Sequence, residues 1–339
     1  GGAPTRIALD RLAWGASRLE GVKVELGSST VVRIASGILD AGPFLDRRKE
    51  EAASDDDEEE PGEAFRLIAP QLAELRTGDD RSLAPASLDL AHDGDRWQSA
   101  EISGGLPGGK AMSVDYGTNP ATGRRALRVT SDDAGALLRT ARVLETVVGG
   151  TLAIEGEAEQ PGLAAPLPVR AEMQDYRVVR GKVMAKILQE AKLEDINSLL
   201  AQEGIPFARF TGRMVLTDEG IDIEKARAYG AALGITAQGK IDLEADQVQI
   251  EGTIVPAYVV SQVIGEIPLI GRILTGGEGE GLFAATYRAE GPLDDPKVSV
   301  NPLAALAPGF LRGLFGIFDG GGSANGEADF TPLPPREAK

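Results

Sequence analysis

Between Phe207 and Pro256 apolar and polar residues alternate with a period of two, and the pattern restarts about every 12 residues. Ile221 and Ile223 alternate with Asp222 and Glu224. Ile235, Ala237, Ile241 and Leu243 then oppose Thr236, Gln238, Lys240, Asp242 and Glu244, and Val248, Ile250 and Ile254 repeat the pattern. Successive side chains of a strand point to opposite faces, so these runs predict a sheet with one greasy and one wet face. Turns at Asp218-Glu219-Gly220, Ala231–Gly234 and Ala245-Asp246 leave no room for a parallel crossover, which needs a dozen or more residues. An antiparallel meander follows, in a mainly β (α+β) chain.

The same period recurs upstream. Ile7 and Leu9, then Val22, Val24 and Leu26, read as half-buried strands. Phe65, Leu67 and Ala69 alternate, and Pro70 argues against a helix there. Leu88 and Leu90, the Asp93-Gly94 turn and Trp97–Ile102 predict a hairpin. Arg124–Thr130, Thr151–Glu157 (with Leu152 and Ile154 on one face) and Val169, Ala171 and Met173 are further strands. Gly104–Gly109, Asn119–Gly123 and Pro161, Pro166 and Pro168 mark turns.

Helical signals are few. One helix is expected over 131–148, capped by Ser131, with Leu137, Leu138, Ala141, Leu144 and Val148 in a stripe and Gly149-Gly150 as its stop. A second region, 182–203, carries Met184, Ile187, Leu188 and Ala191, then Ile196, Leu199 and Leu200, with a break at Lys192, Glu194 and Asp195. A third apolar piece lies near 258–274. The expected organisation is a β segment over 1–130 with an acidic disordered loop at 46–63. A second β segment follows over 131–300, then an amphipathic end segment over 301–318 and a disordered tail over 319–339.

Composition removes several function classes. The net charge of −17 disfavours nucleic acid and electrostatic docking on anionic lipid. With no Cys, thiol catalysis and thiolate metal sites are excluded. The single His92, beside the Asp93-Gly94 turn, is expected at the surface and leaves no multi-histidine metal site. The Glu50–Glu60 run lacks the alternate ligand spacing and bend glycine of a Ca²⁺ loop. Gly276–Gly281 lacks the Gly-Lys-Ser/Thr ending of a phosphate loop, and its glutamates would repel phosphate. No enzyme constellation, cofactor or metal is expected. No run of about 18 apolar residues predicts a membrane-spanning helix. The chain opens Gly1-Gly2-Ala3 without Met or a signal peptide, which suggests a piece of a longer protein.

The C-terminal quarter adds a specific order of parts. An apolar piece, Ile267–Leu274, leads through the glycine-rich turn into a strand, Leu282–Glu290, and a Gly-Pro-Leu-Asp-Asp-Pro turn. Lys297–Val300 follows, then Asn301-Pro302, suited to cap and open a helix. The residues Ile267-Pro268-Leu269-Ile270-Gly271, Gly281–Tyr287, Gly291–Val298, Asn301-Pro302-Leu303 and Ala307-Pro308-Gly309 resemble the C-terminal region of the AsmA-like (YhdP-type) family of Gram-negative cell envelopes. The resemblance covers roughly 131–318 and is weaker before it.

That resemblance implies a long meander curled into an open hydrophobic groove, capped by a few amphipathic helices. It also implies passive phospholipid transport between inner and outer membranes. The chain would then work in the periplasm, with the full-length protein anchored in the inner membrane by an N-terminal helix absent here. Leu152, Ile154, Ile221, Ile223, Ile235, Ala237, Ile241, Leu243, Val248, Ile250 and Ile254 are the expected groove lining for phospholipid acyl chains. Phe310, Leu311, Leu314, Phe315, Ile317 and Phe318 share an arc of about 160° opposite Arg312. With Leu303 and Leu306, they are expected to contact the outer membrane, an envelope protein, or the groove itself. The competing expectation is a non-transporting envelope scaffold that docks a partner protein through this segment or a sheet edge.

Overall fold

The computed structural model describes residues 5–51, 63–256 and 284–302, with the side chains of 47–51 and of Pro302 excepted. In chain order the first strands are β1 (Arg6–Trp14), β2 (Ser17–Glu25), β3 (Thr30–Arg33), β4 (Ser36–Asp40), β5 (Phe65–Gly78) and β6 (Arg81–Leu83). Next come β7 (Ala86–His92), β8 (Trp97–Leu106), β9 (Lys110–Thr118), β10 (Arg124–Ser131), β11 (Val147–Pro161) and β12 (Leu167–Val178). The series ends with β13 (Ile205–Leu216), β14 (Gly220–Tyr229), β15 (Leu233–Asp242), β16 (Gln247–Pro256), β17 (Ala285–Pro292) and β18 (Lys297–Pro302). Among the described residues four helices interrupt them: α1 (Gly42–Glu51), α2 (Ala134–Thr140), α3 (Lys182–Glu190) and α4 (Glu194–Gln202).

The described strands form one mainly antiparallel sheet. From β7 to β18 each strand pairs with the next in sequence, as expected where short turns connect them. The exception is near the start, where β3 and β4 run parallel to β5 after the long connection through α1. That connection begins as helix through Glu51, so any loop starts later than residue 46.

One rim of the sheet carries α2 between β10 and β11, and α3 and α4 between β12 and β13. The opposite rim carries short turns such as 93–96, 162–166, 217–219 and 293–296. At the turn rim, Arg96 Nη2 lies 2.9 Å from Asp218 Oδ2 although five strand steps separate β8 from β13. Ladder spacing makes those steps about 24 Å of sheet, so the sheet bends round between them. At the other end, six steps of about 20–25° of twist carry β18 across the helices that follow β12. Lys186 of α3 there donates to Asp295 Oδ1 (2.6 Å) and to the Pro296 carbonyl (2.9 Å).

Two helix expectations change. The 131–148 helix is only the seven residues of α2, and its cap is Asp133, whose Oδ1 accepts from Ala136 N at 2.9 Å. Ser131 ends β10 and braces the cap, accepting from Asp133 N and donating to its carbonyl. Arg142, at φ +60°, closes the helix: Val143 N donates to Leu138 O and Arg142 N to Arg139 O, the pairing of a left-handed C-terminal cap. Beyond it Leu144 is exposed, while Val148, Gly149 and Gly150 belong to β11. The β-branched pair Val147-Val148 favours the ladder over another helical turn. The second correction is at Asn301 and Pro302, which pair with Thr286 and Ala285 as the end of β18 and so do not open a helix. The break expected near Lys192 separates α3 from α4, with Lys192 at φ +56°.

Candidate functional site

Side chains directly opposite on neighbouring strands share a face, so the register traces rows across the whole sheet. One row starts Ile7–Val24–Val32–Leu67–Leu90–Ala100–Tyr116–Leu127. It continues Gly156–Val169–Met214–Ile223–Gly239–Ile250–Ala289–Val298. None of its members carries a charge. It crosses sixteen strands, and fifteen ladder steps make it roughly 70 Å long. A second row lies two residues towards the helix rim: Ala69–Leu88–Ile102–Val114–Val129–Ile154–Ala171–Gly212–Ala226–Ala237. The third, at the helix rim, includes Leu19, Leu72, Met112, Leu152, Met173, Phe210, Ile235 and Ile254.

The rows differ in cover. Third-row members Leu72 (1% exposed), Leu152 and Ile254 (0%) are buried in one cluster with Leu137 of α2, Ile187 and Leu188 of α3 and Leu200 of α4. In the first row Val24, Leu67, Leu90, Leu127, Ile223, Ile250 and Val298 are only half-buried, and Ile7 on strand β1, which pairs only with β2 among the described residues, is exposed. This row is interrupted at β11–β13, where Val169 packs with Ala158 and Leu167 against Tyr116, Leu127 and Met214, and at β17, where Ala289 is buried. The helices thus roof one rim of the apolar face; the second row is partly buried beside that core, with Ala69, Leu88, Ala171 and Ala226 buried, and the first row is mostly half-buried at its margin.

The opposite face is polar. Ser87, Ser103, Ser113 and Thr130 align across four strands, with Ser113 and Thr130 hydroxyls 2.8 Å apart. Arg128–Glu155 (3.4 Å), Arg209–Glu172 (3.0 Å) and Arg288–Glu251 (3.0 Å) are ion pairs on the same face. A concavity of about 800 Å³ over β14–β18 lies on this side between Glu224, Gln238, Glu251 and Arg288. Hydrogen bonds from Gln238 and Arg288 hold the Glu251 carboxyl below its usual range. Glu251 and Arg288 satisfy each other, and Glu224 pairs with Arg213 at 3.9 Å.

The register brings together ten of the eleven residues expected to line a groove, with two kinds of cover. Leu152 and Ile254 lie beneath the helices and belong to the packed core, with Ile235 partly buried beside them. Ile154, Ala237, Ile223 and Ile250 are themselves half-buried, and half-buried Ile221 and Ile241 form with buried Val248 a short row nearer the turns. Leu243 lies beyond the end of β15 and is 59% exposed. Leu303, Leu306, Phe310, Leu311, Leu314, Phe315 and Phe318, the helix expected near 258–274, and the tail lie outside the described residues.

His92 is partly exposed and partly packed. Its ring stacks on Phe65 (5.7 Å) and meets Trp97 edge-on (5.1 Å), while Nδ1 accepts from Gly94 N at 3.1 Å. It is half-buried and closes its own hairpin turn. Tyr176, stacked on Phe207, and Tyr287, which donates to the Thr236 carbonyl at 2.7 Å, are buried; desolvation pushes both phenols up, so both stay neutral.

The sequence reading did not place the N-terminal members of these rows, Leu67, Leu90, Ile102, Val114 and Val129, among its candidate residues. Period-two signals exist there, but glycines and serines dilute them. Among the described residues no helix is long and apolar enough to cross a membrane. No family model, curated protein or solved structure matches the chain.

Proposed function

We propose that this chain is a passive lipid conduit, carrying phospholipid acyl chains along the apolar face of its sheet. The observation that carries the reading is the uncharged row from Ile7 to Val298, which stays half-buried over most of its length. An ordinary core buries such residues almost completely.

The energetics favour such a surface. Each CH₂ removed from water is worth about 0.8 kcal/mol, so a sixteen-carbon chain resists an aqueous gap by roughly 13 kcal/mol. A row of aliphatic side chains offers the chain continuous contact, and the polar face keeps the carrier soluble. Small aliphatic residues and glycines give a smooth surface with no fixed subsite, which suits sliding better than capture. The resemblance of 131–318 to AsmA-like proteins supports the same reading and suggests a site of work between two membranes, in the periplasm.

The test is a double substitution on the open rows, Ile241→Asp with Ile250→Asp. Two carboxylates on the lining should lower co-purifying phospholipid at least tenfold with the circular dichroism spectrum unchanged. Equal lipid content in the folded double variant would contradict the proposal. A scaffold that docks partners through a sheet edge would carry no lipid even in the native sequence.

A further inference from the structure

The apolar face carries a guanidinium at its turn rim. Arg125 pairs with Thr118 one step outside the Tyr116–Leu127 pair, so its side chain shares the face of the first row. Its Nη1 donates to Tyr116 Oη at 3.3 Å, and its Nη2 donates to the Ala165 carbonyl in the β11–β12 turn. The Tyr116 hydroxyl in turn faces the Trp97 carbonyl at 3.4 Å, which fixes its lone pairs towards Arg125. Arg125 is half-buried, its Nε is buried without a hydrogen-bond partner, and no carboxylate of the described residues lies within ion-pair distance. The contrast with its surroundings is chemical. The neighbouring cations Arg124 and Arg128 reach Glu157 and Glu155. Arg125 instead points to the side that carries Leu127, Val129 and the satellite cluster of Val169 and Met214.

Building on the conduit reading, we infer that Arg125 is the head-group anchor of the lining: it binds the oxyanion, carboxylate or phosphate, of a lipid whose chain lies along the rows. Guanidinium donors form charge-assisted hydrogen bonds with such groups, often in pairs, and two donors of Arg125 are already oriented by neutral oxygens that do not neutralise its charge. Strand geometry sets the scale. From Arg125 to Ser131 along β10 is six residues, about 20 Å, and this path crosses each row in turn until it reaches the roof formed by α2. A head group at the wet turn rim with its chain running inwards satisfies both ends of an amphiphile.

The test measures, by isothermal titration calorimetry, binding of oleate against oleyl alcohol, and of dihexanoyl phosphatidic acid against dihexanoylglycerol. Arg125→Met keeps much of the side-chain length and removes the charge. It should weaken oleate and the phosphatidic acid by roughly 10- to 100-fold and leave the two neutral lipids within about twofold. Arg125→Lys should recover part of the loss. The phosphatidic acid arm separates a phosphate preference from a carboxylate one. If Arg125→Met does not fold, Tyr116→Phe, which removes the orienting hydroxyl, should give a smaller loss confined to the anionic lipids. Equal losses for charged and neutral lipids, or no loss for either, would overturn the anchor while leaving the conduit standing. A native chain that binds none of the four lipids would overturn both.

Discussion

Gly252 shows how closely the strands approach in the second half of the sheet. A Cβ there would sit 1.9 Å from the Thr236 carbonyl oxygen and 2.8 Å from Tyr287 Oη, the hydroxyl that donates to that same carbonyl. Thr236 also uses its own hydroxyl to accept from Thr253 N at 3.0 Å, so the ladder between β15 and β16 is locally replaced by side-chain bonds. Gly252→Ala must move backbone, and we expect a loss of about 1–3 kcal/mol in urea unfolding. An unchanged midpoint would show that the strands are not held this tightly. Gly156 has the same role on the first row, where a Cβ would lie 2.2 Å from the Pro168 carbonyl oxygen. Where neighbouring strands approach this closely, only glycine leaves room. Nothing in the alternation of apolar and polar residues distinguishes such a glycine from one in a turn. Arg125 was hidden for a related reason: in Arg124-Arg125 the sequence does not say which arginine faces inwards.

At the scale of elements, strands were far more legible than helix ends. The hairpins at 86–106 and 205–256 follow directly from their turns and alternation, because period two is a property of the strand itself. Local breaks in the alternation are what the pattern cannot show. Leu19 and Val22 are both buried although three residues apart: Gly21, between them at φ +60°, turns the backbone without shifting the register to β1. Ala69 and Leu72 are likewise both buried, across the register shift at Pro70 in β5. For α2, the apolar spacing continued past the true end because Leu144 and Val148 fall by chance at helical intervals. The backbone reversal at Arg142 left no mark in the residue type. The cap is testable: Asp133→Ala should cost about 1 kcal/mol of stability, read by thermal or urea unfolding, whereas Ser131→Ala should cost less. The reverse order would return the cap to Ser131.

For the molecule as a whole, the meander and its two faces could be read from the sequence, but the path of the sheet in space could not. Continuity of the lining depends on the register of every neighbouring pair. Its bend depends on contacts such as Arg96–Asp218 that join turns over a hundred residues apart. What makes the face a candidate conduit is the unequal roof: α2, α3 and α4 bury the row at one rim, while the row farthest from them stays mostly half-buried. The chain has no Cys, so single cysteines report accessibility without background. The most direct measurement is the rate at which Ile223→Cys and Ile250→Cys react with a water-soluble maleimide, compared with Leu72→Cys on the roofed row. In delipidated protein the first two should react and the third should not, and added phospholipid should protect the first two. Open-row cysteines as unreactive as Leu72→Cys, or reactive ones that phospholipid leaves unprotected, would contradict the claim that this face is open to lipid.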